Sequence, residues 1–194
     1  MQALFDAAEK GEVEMVRKLL NAKADLDGKD KHGKTALMVA ACWGNDECAQ
    51  VLIDAKADIK IKDVIGTTAL IWAAVNGRTG CAQLLIDANS DLGAKDKDGK
   101  TALIWAACLG KDESAQLLID SKARVDTKDD QQGKTALIWA SSNGNSECVQ
   151  RLIDAHAYVN SKDSDGATAM CWATYMDNPD CVRILQTHGG VMPS

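Results

Sequence analysis

The sequence predicts an all-α repeat solenoid, and three observations predict it. The first is a period. The segment GKTALIWAA at 99–107 returns as GKTALMVAA at 33–41, GTTALIWAA at 66–74, GKTALIWAS at 133–141 and GATAMCWAT at 166–174. Its glycines, at 33, 66, 99, 133 and 166, are spaced by 33, 33, 34 and 33 residues, and a fixed period of this size marks stacked supersecondary units. The second observation is that each period carries two short apolar stretches at helical spacing. The third is punctuation. A glycine precedes the first stretch, and another, at 44, 77, 110 or 144, separates it from the second.

Taken in order, residues 1–29 read as a capping unit. Leu4, Phe5, Ala7 and Ala8 follow the TALIWAA pattern without its turn, and Gly11 ends that helix. Val13, Met15, Val16, Leu19 and Leu20 form a second apolar stripe. Glu9, Lys10, Glu12, Glu14, Arg17 and Lys18 leave its free face polar, as a terminal repeat requires. Full units follow at 30–62, 63–95, 96–128 and 129–162, and a last unit at 163–194, all within one repeat domain, 1–194.

Each full unit opens on a Lys-Asp pair (29–30, 62–63, 95–96, 128–129), read as solvated turn residues. Thr35, Thr68, Thr101 and Thr135 are expected to cap the first helix. Gly44, Gly77, Gly110 and Gly144 suit the left-handed position at its end. The second helix is expected to start near Asn45 or Asn145, to bury pairs such as Leu84-Leu85 and Leu117-Leu118, and to end near Asp54, Asp87, Asp120 and Asp154. The one extra residue of the fourth unit falls in the turn 129–132. In the last unit Asp177 replaces the helix-ending glycine, Asn178-Pro179 reads as an N-cap followed by Pro at the first helical position, and the tail 189–194 is expected to fray.

Composition narrows the function classes. No apolar run is long enough to span a bilayer. The N-terminus lacks the basic start and apolar core of a secretory signal. Seven cysteines, mostly at equivalent repeat positions, sit about one helix diameter (~10 Å) apart, beyond disulfide reach. Reduced thiols in the cytoplasm or nucleus are therefore expected, not secretion. The net charge of −6 disfavours nucleic acid and anionic membrane as partners.

The pattern Asp-x-x-Gly-x-Thr-x-Leu-x-x-Ala-Ala, a glycine, a leucine-rich helix and then Ala-Asp-Ile/Val resembles the ankyrin repeat family across essentially the whole chain. The family's usual Thr-Pro-Leu-His is Thr-Ala-Leu here, followed by Met38, Ile71, Ile104, Ile138 or Cys171, so an apolar contact must replace the histidine's polar network. The family's glycine before Ala-Asp is Lys23, Lys56, Asn89, Lys122 or His156. A left-handed backbone there costs each about 1 kcal/mol. The resemblance implies two antiparallel helices and an outward hairpin per unit, stacked into a curved solenoid. It also implies protein–protein binding without catalysis.

Candidate contact residues follow from helix geometry. Trp72, Trp105, Trp139 and Trp172 share one repeat position. With Leu103 and Ala107 facing the second helix, Trp105 turns to the concave side with Cys108 and Leu109; Trp43 and Cys42 belong beside that row. Two compatible readings of the indole row stand: packing of first helices on one another, and a row of binding hot spots. The turn tips offer Lys31, His32, Lys34, Val64, Ile65, Lys97, Asp98, Lys100, Gln131 and Gln132. Val64 and Ile65 are unexpected at a turn, being either tucked on a neighbour or a contact point.

Gly28–Thr35 matches the phosphate-loop pattern G-x-x-x-x-G-K-[ST], but the hydrophobic strand that should precede it is the connector Asp25-Leu26-Asp27, and GKT is repeat consensus. Cys48, Cys81, Cys148 and Cys181 recur with Ser114 at one second-helix position and read as small core fillers, without Cys-x-x-Cys spacing for zinc. His32, His156 and His188 lie in loops of different units, with no catalytic constellation. The expectation is a monomeric, non-catalytic scaffold without cofactor or metal. It binds another protein, through an apolar or Arg/Lys-bearing segment, on the concave face and tips. The alternatives are a regulatory subunit or inhibitor of an enzyme, and a small apolar ligand held between the indoles.

Overall fold

The computed structural model describes residues 2–192, and every regular element among them is an α-helix. The chain divides into two compact units, 1–97 and 98–194. The first holds α1 (Gln2–Lys10), α2 (Val13–Asn21), α3 (Ala36–Trp43), α4 (Asp46–Asp54), α5 (Ala69–Val75) and α6 (Thr79–Asp87). The second holds α7 (Ala102–Cys108), α8 (Asp112–Asp120), α9 (Ala136–Ser142), α10 (Ser146–Asp154), α11 (Ala169–Tyr175) and α12 (Pro179–Thr187). Helices of seven to nine residues are marginal alone, so packing must hold them. In the first unit α1, α3 and α5 pack side by side, as do α2, α4 and α6. The second unit repeats this with α7, α9, α11 and α8, α10, α12. The architecture is the all-α repeat solenoid that the period predicts.

Local chemistry starts and stops the first helices as the sequence predicts. The hydroxyls of Thr35, Thr68, Thr101 and Thr135 accept from the backbone N–H three residues on, at 3.3–3.4 Å, and Thr168 does the same for α11. Gly44, Gly77, Gly110 and Gly144 have φ of 80°, 66°, 61° and 74°. The connector residues Lys23, Lys56, Asn89, Lys122 and His156 keep φ between 60° and 72°, and Asp177 has φ 54°. Among the described residues six non-glycine residues therefore carry left-handed strain, about 1 kcal/mol each for the lysines and His156 and less for Asn89 and Asp177.

Between the two helix rows of each unit lies the core. Leu37, Leu70, Leu103 and Leu137 are buried with Cys48, Leu52, Leu85, Leu118 and Leu152. Met38, Ile71, Ile104 and Ile138 are each 1% exposed, so the apolar residue fully takes the histidine's place. Leu84 and Leu117 are only half-buried: of each expected leucine pair, only the second enters the core.

The second helices start where expected, but Asn45, Asn145 and Asn178 do not cap them. Their amides reach back to the preceding repeat. Asn45 Nδ2 donates to the carbonyls of Ala8 and Glu9 (2.7 and 2.8 Å). Asn145 does so to Ala107 and Cys108, and Asn178 to Ser141 and Ser142. Those carbonyls end a helix and have no partner within it, so the amide satisfies one repeat from the next. The described part of the tail does not fray freely. Thr168 Oγ1 donates to Val191 O (2.9 Å), and Val191 N donates to Asn160 Oδ1 (2.9 Å). Pro193 and Ser194 lie outside the described residues.

Candidate functional site

The turns are organised by the aspartate of each Lys-Asp pair. Asp63 Oδ1 accepts from the N–H groups of Ile65 and Thr67, and Asp163 Oδ1 from those of Asp165 and Ala167. Asp129 Oδ1 accepts from Gln132 N, three residues on rather than two, which is how this turn absorbs its extra residue. The second carboxylate oxygen points at an indole. Trp72, Trp139 and Trp172 donate Nε1–H to Asp63, Asp129 and Asp163 at 3.0, 2.7 and 2.7 Å. Asp63 and Asp129 are buried, 7% and 4% exposed, which corrects their reading as solvated turn residues; Asp163 in the last unit is buried likewise, at 7%. The signal was present in sequence as the recurring nine- or ten-residue step from Asp to Trp.

The lysines that follow Gly33, Gly99 and Gly133 complete the arrangement. Lys34 Nζ lies 3.7 Å from the centroid of the Trp72 ring. Lys100 lies 4.3 Å from both Trp105 and Trp139, and Lys134 lies 4.6 Å from Trp139 and 3.4 Å from Trp172. Ammonium groups and indoles alternate, each cation held over an electron-rich face. Lys134 is 3% exposed, and burial lowers its pKa from the ordinary value, opposed by Asp163, Asp129, Asp165 and Cys108.

Each expected contact residue has a definite place. Trp72, Trp105, Trp139 and Trp172 are half-buried, with lysine over their rings; Lys34 and Lys100, expected at the tips, cover Trp72, Trp105 and Trp139, and Lys134 covers Trp139 and Trp172. Trp43, Val64, Ile65 and Leu109 are 52%, 52%, 53% and 43% exposed, so the apolar tip is not tucked away. Lys31, His32, Lys97, Gln131 and Gln132 are exposed, and Asp98 is half-buried. Successive tips bond through the backbone: Val64 N to His32 O, Lys97 N to Ile65 O, and Ser164 N to Gln132 O. Gln131 Nε2 adds a bond to Asp98 Oδ1 at 2.6 Å.

Cys42 and Cys108 are half-buried, each accepting a weak bond from an asparagine amide, Asn76 and Asn143. Burial raises the Cys108 thiol, a state opposed to nucleophilic reactivity. Cys48, Cys81, Cys148 and Cys181 are buried, and burial raises each. At their shared position Ser114 keeps a buried hydroxyl without a hydrogen-bond partner. The phosphate-loop likeness has no anion cradle behind it. Asp30 Oδ1 takes the N–H groups of His32 and Lys34 (both 2.8 Å), and Lys34 is turned to Trp72. No group of three or more His, Cys, Asp or Glu suited to a metal occurs among the described residues.

The family model for ankyrin repeats (3 copies) matches residues 1–63, 57–129 and 123–192. A crystallised ankyrin repeat domain from Acinetobacter baumannii AYE is similar in structure, with a TM-score of 0.86. It is 30% identical over 97% of this chain and 98% of its own. No curated protein sequence matches the chain. Ankyrin repeats are generally protein–protein interaction modules and typically non-catalytic. Among the described residues no helix is long and apolar enough to cross a membrane. Period, caps, helix pairing and both comparisons agree, and the chain belongs to the ankyrin repeat family.

Proposed function

We propose that the 194 residues act as one monomeric, non-catalytic repeat domain that binds a partner protein through its first-helix face and turn tips. One observation carries the reading: Trp43, Val64, Ile65 and Leu109, at a turn tip or at the end of a first helix, stay about half exposed. Apolar side chains at turn tips gain nothing for the fold and are suited to contact. Trp72 in residues 1–97, and Trp105 with Trp139 in residues 98–194, supply the floor of that face within their own units. With lysines on the ring faces, it offers edges and bound ammonium groups more than open indole planes. An apolar partner segment fits Trp43 and Ile65; a segment bearing Lys or Arg needs an indole face that no lysine covers. Seven free thiols support action in a reducing, cytoplasm-like compartment.

The test is affinity capture from native lysate, followed by titration of the captured protein. Trp43→Ala with Ile65→Asp is expected to weaken binding at least about tenfold while the helical circular dichroism is unchanged. Trp72→Ala with Trp105→Ala is expected to weaken binding less and to lower stability, because those rings also pack. Unchanged affinity in the Trp43/Ile65 variant would sink the proposal. Assaying the captured partner's activity with and without this chain separates passive binding from inhibition.

A further inference from the structure

In residues 98–194 the lysine after a turn glycine lies over the indole of its own repeat and over that of the next. Lys100 and Lys134 therefore flank Trp139 at 4.3 and 4.6 Å. Trp172 receives Lys134 at 3.4 Å, but in its own turn Gly166 is followed by alanine. Where a lysine stem would lie there is a pocket of about 440 Å³, lined by Ala167, Cys171, Trp172, Tyr175 and Met192.

The Tyr175 ring stands at 89° to Trp172, centroids 6.2 Å apart, so two aromatic walls meet at a corner. A Cβ on Gly133 would run into Ser164, whereas one on Gly166 would meet nothing within 4 Å among the described residues. Asp163 fixes the indole through its N–H (2.7 Å), and the last unit is acidic in sequence, with Asp163, Asp165, Asp177 and Asp180 against Arg183 in residues 163–194.

We propose that the Trp172–Tyr175 pocket binds a lysine side chain of a partner protein, which takes on Trp172 the place Lys134 takes on Trp139. The proposal rests on the reading of the protein as a binding scaffold and names one of its contact points. The apolar walls of Ala167 and Met192 pack the methylene stem, and the two rings hold the ammonium. A neutral apolar guest would meet the same walls but would gain nothing from the attraction of the ring faces for a cation.

The test follows the Trp172 indole N–H resonance in the ¹⁵N-labelled protein. The probes are Nα-acetyl-lysine N-methylamide and Nα-acetyl-norleucine N-methylamide, which differ by the ammonium. Lysine is expected to shift Trp172 saturably, in the millimolar range and about fivefold more tightly than norleucine. Ala167→Lys supplies the missing lysine from within and is expected to abolish that response with the rest of the spectrum unchanged. Equal or tighter norleucine binding makes the pocket an apolar ligand site and overturns the proposal. So does a silent Trp172 resonance, or an unaltered lysine response in Ala167→Lys. Failure here leaves capture through Trp43 and Ile65 untouched, and loss of capture leaves the Trp172 response untouched, so the two readings fail separately.

Discussion

Two turns of the first unit differ in the residue nine positions after the aspartate. After Asp63 comes Trp72; after Asp30, at the same distance, comes Val39. Both aspartates gather two backbone N–H groups on Oδ1. Only Asp63 also binds an indole, and it is 7% exposed whereas Asp30 is half-buried. Beside Val39 lies a cleft of about 680 Å³ whose walls include Phe5, Lys29, Asp30 and Lys31, room that the indole fills elsewhere. The comparison teaches what the tryptophan does for the repeat. It lets a carboxylate be buried with its hydrogen bonds satisfied, and it offers a face on which a lysine is buried beside it. A buried carboxylate without such donors would be strongly unfavourable.

The largest expected effect comes from removing the carboxylate in each turn. Asp63→Ala strips two backbone donors and one indole donor of their acceptor in a buried site and is expected to cost about 3 kcal/mol. Asp30→Ala, in the wetter turn, is expected to cost about 1 kcal/mol. Urea unfolding of the two variants checks this, and equal losses would mean that the indole bond contributes nothing.

Building the missing indole is the converse experiment. Val39→Trp is expected to enter the cleft, bond Asp30, meet Lys34 and add about 1 kcal/mol. In that background Asp30→Ala should become more damaging than in the parent. A double-mutant cycle measures the difference, and additivity within about 0.3 kcal/mol would show that the pair does not couple.

The smallest effect is in pH. Burial pushes Lys134 below its ordinary value of 10.5, so the folded protein releases this proton before the unfolded chain does. In the window just below pH 10.5 the unfolded chain binds more protons, and stability from this group rises with pH. Cys81 and Cys148, raised from 9.0 chiefly by burial, act with the opposite sign: their contribution is complete below pH 9 and is lost at higher pH. The thiols cancel in a comparison with Lys134→Met. The stability difference, wild type minus variant, is expected to grow from pH 8.5 to 10.5, and a flat difference counts against a buried ammonium at Lys134.

Much of the fold was legible because it is local. Thr35 caps its own helix three residues away, Gly44 ends it, and both appear as spacing. Val64 and Ile65 stood out in the sequence as apolar residues at a turn, either tucked or in contact, and the structure leaves both exposed. The lysine and asparagine roles were not legible. Lys34 meets Trp72 thirty-eight residues later, and Asn45 caps carbonyls thirty-six and thirty-seven residues earlier. Lys34 and Lys100 read as turn-tip contacts and Asn178 as the cap of its own helix; each meets a partner in the neighbouring repeat instead.

The sequence by itself determined the period, the helix pairs, the caps and the replacement of a polar histidine by buried Ile, because those depend on neighbours within a few residues. Only the tertiary structure decided which charges are buried. A carboxylate and an ammonium leave water only when donors and ring faces from other segments surround them, and those segments meet only when the repeats stack.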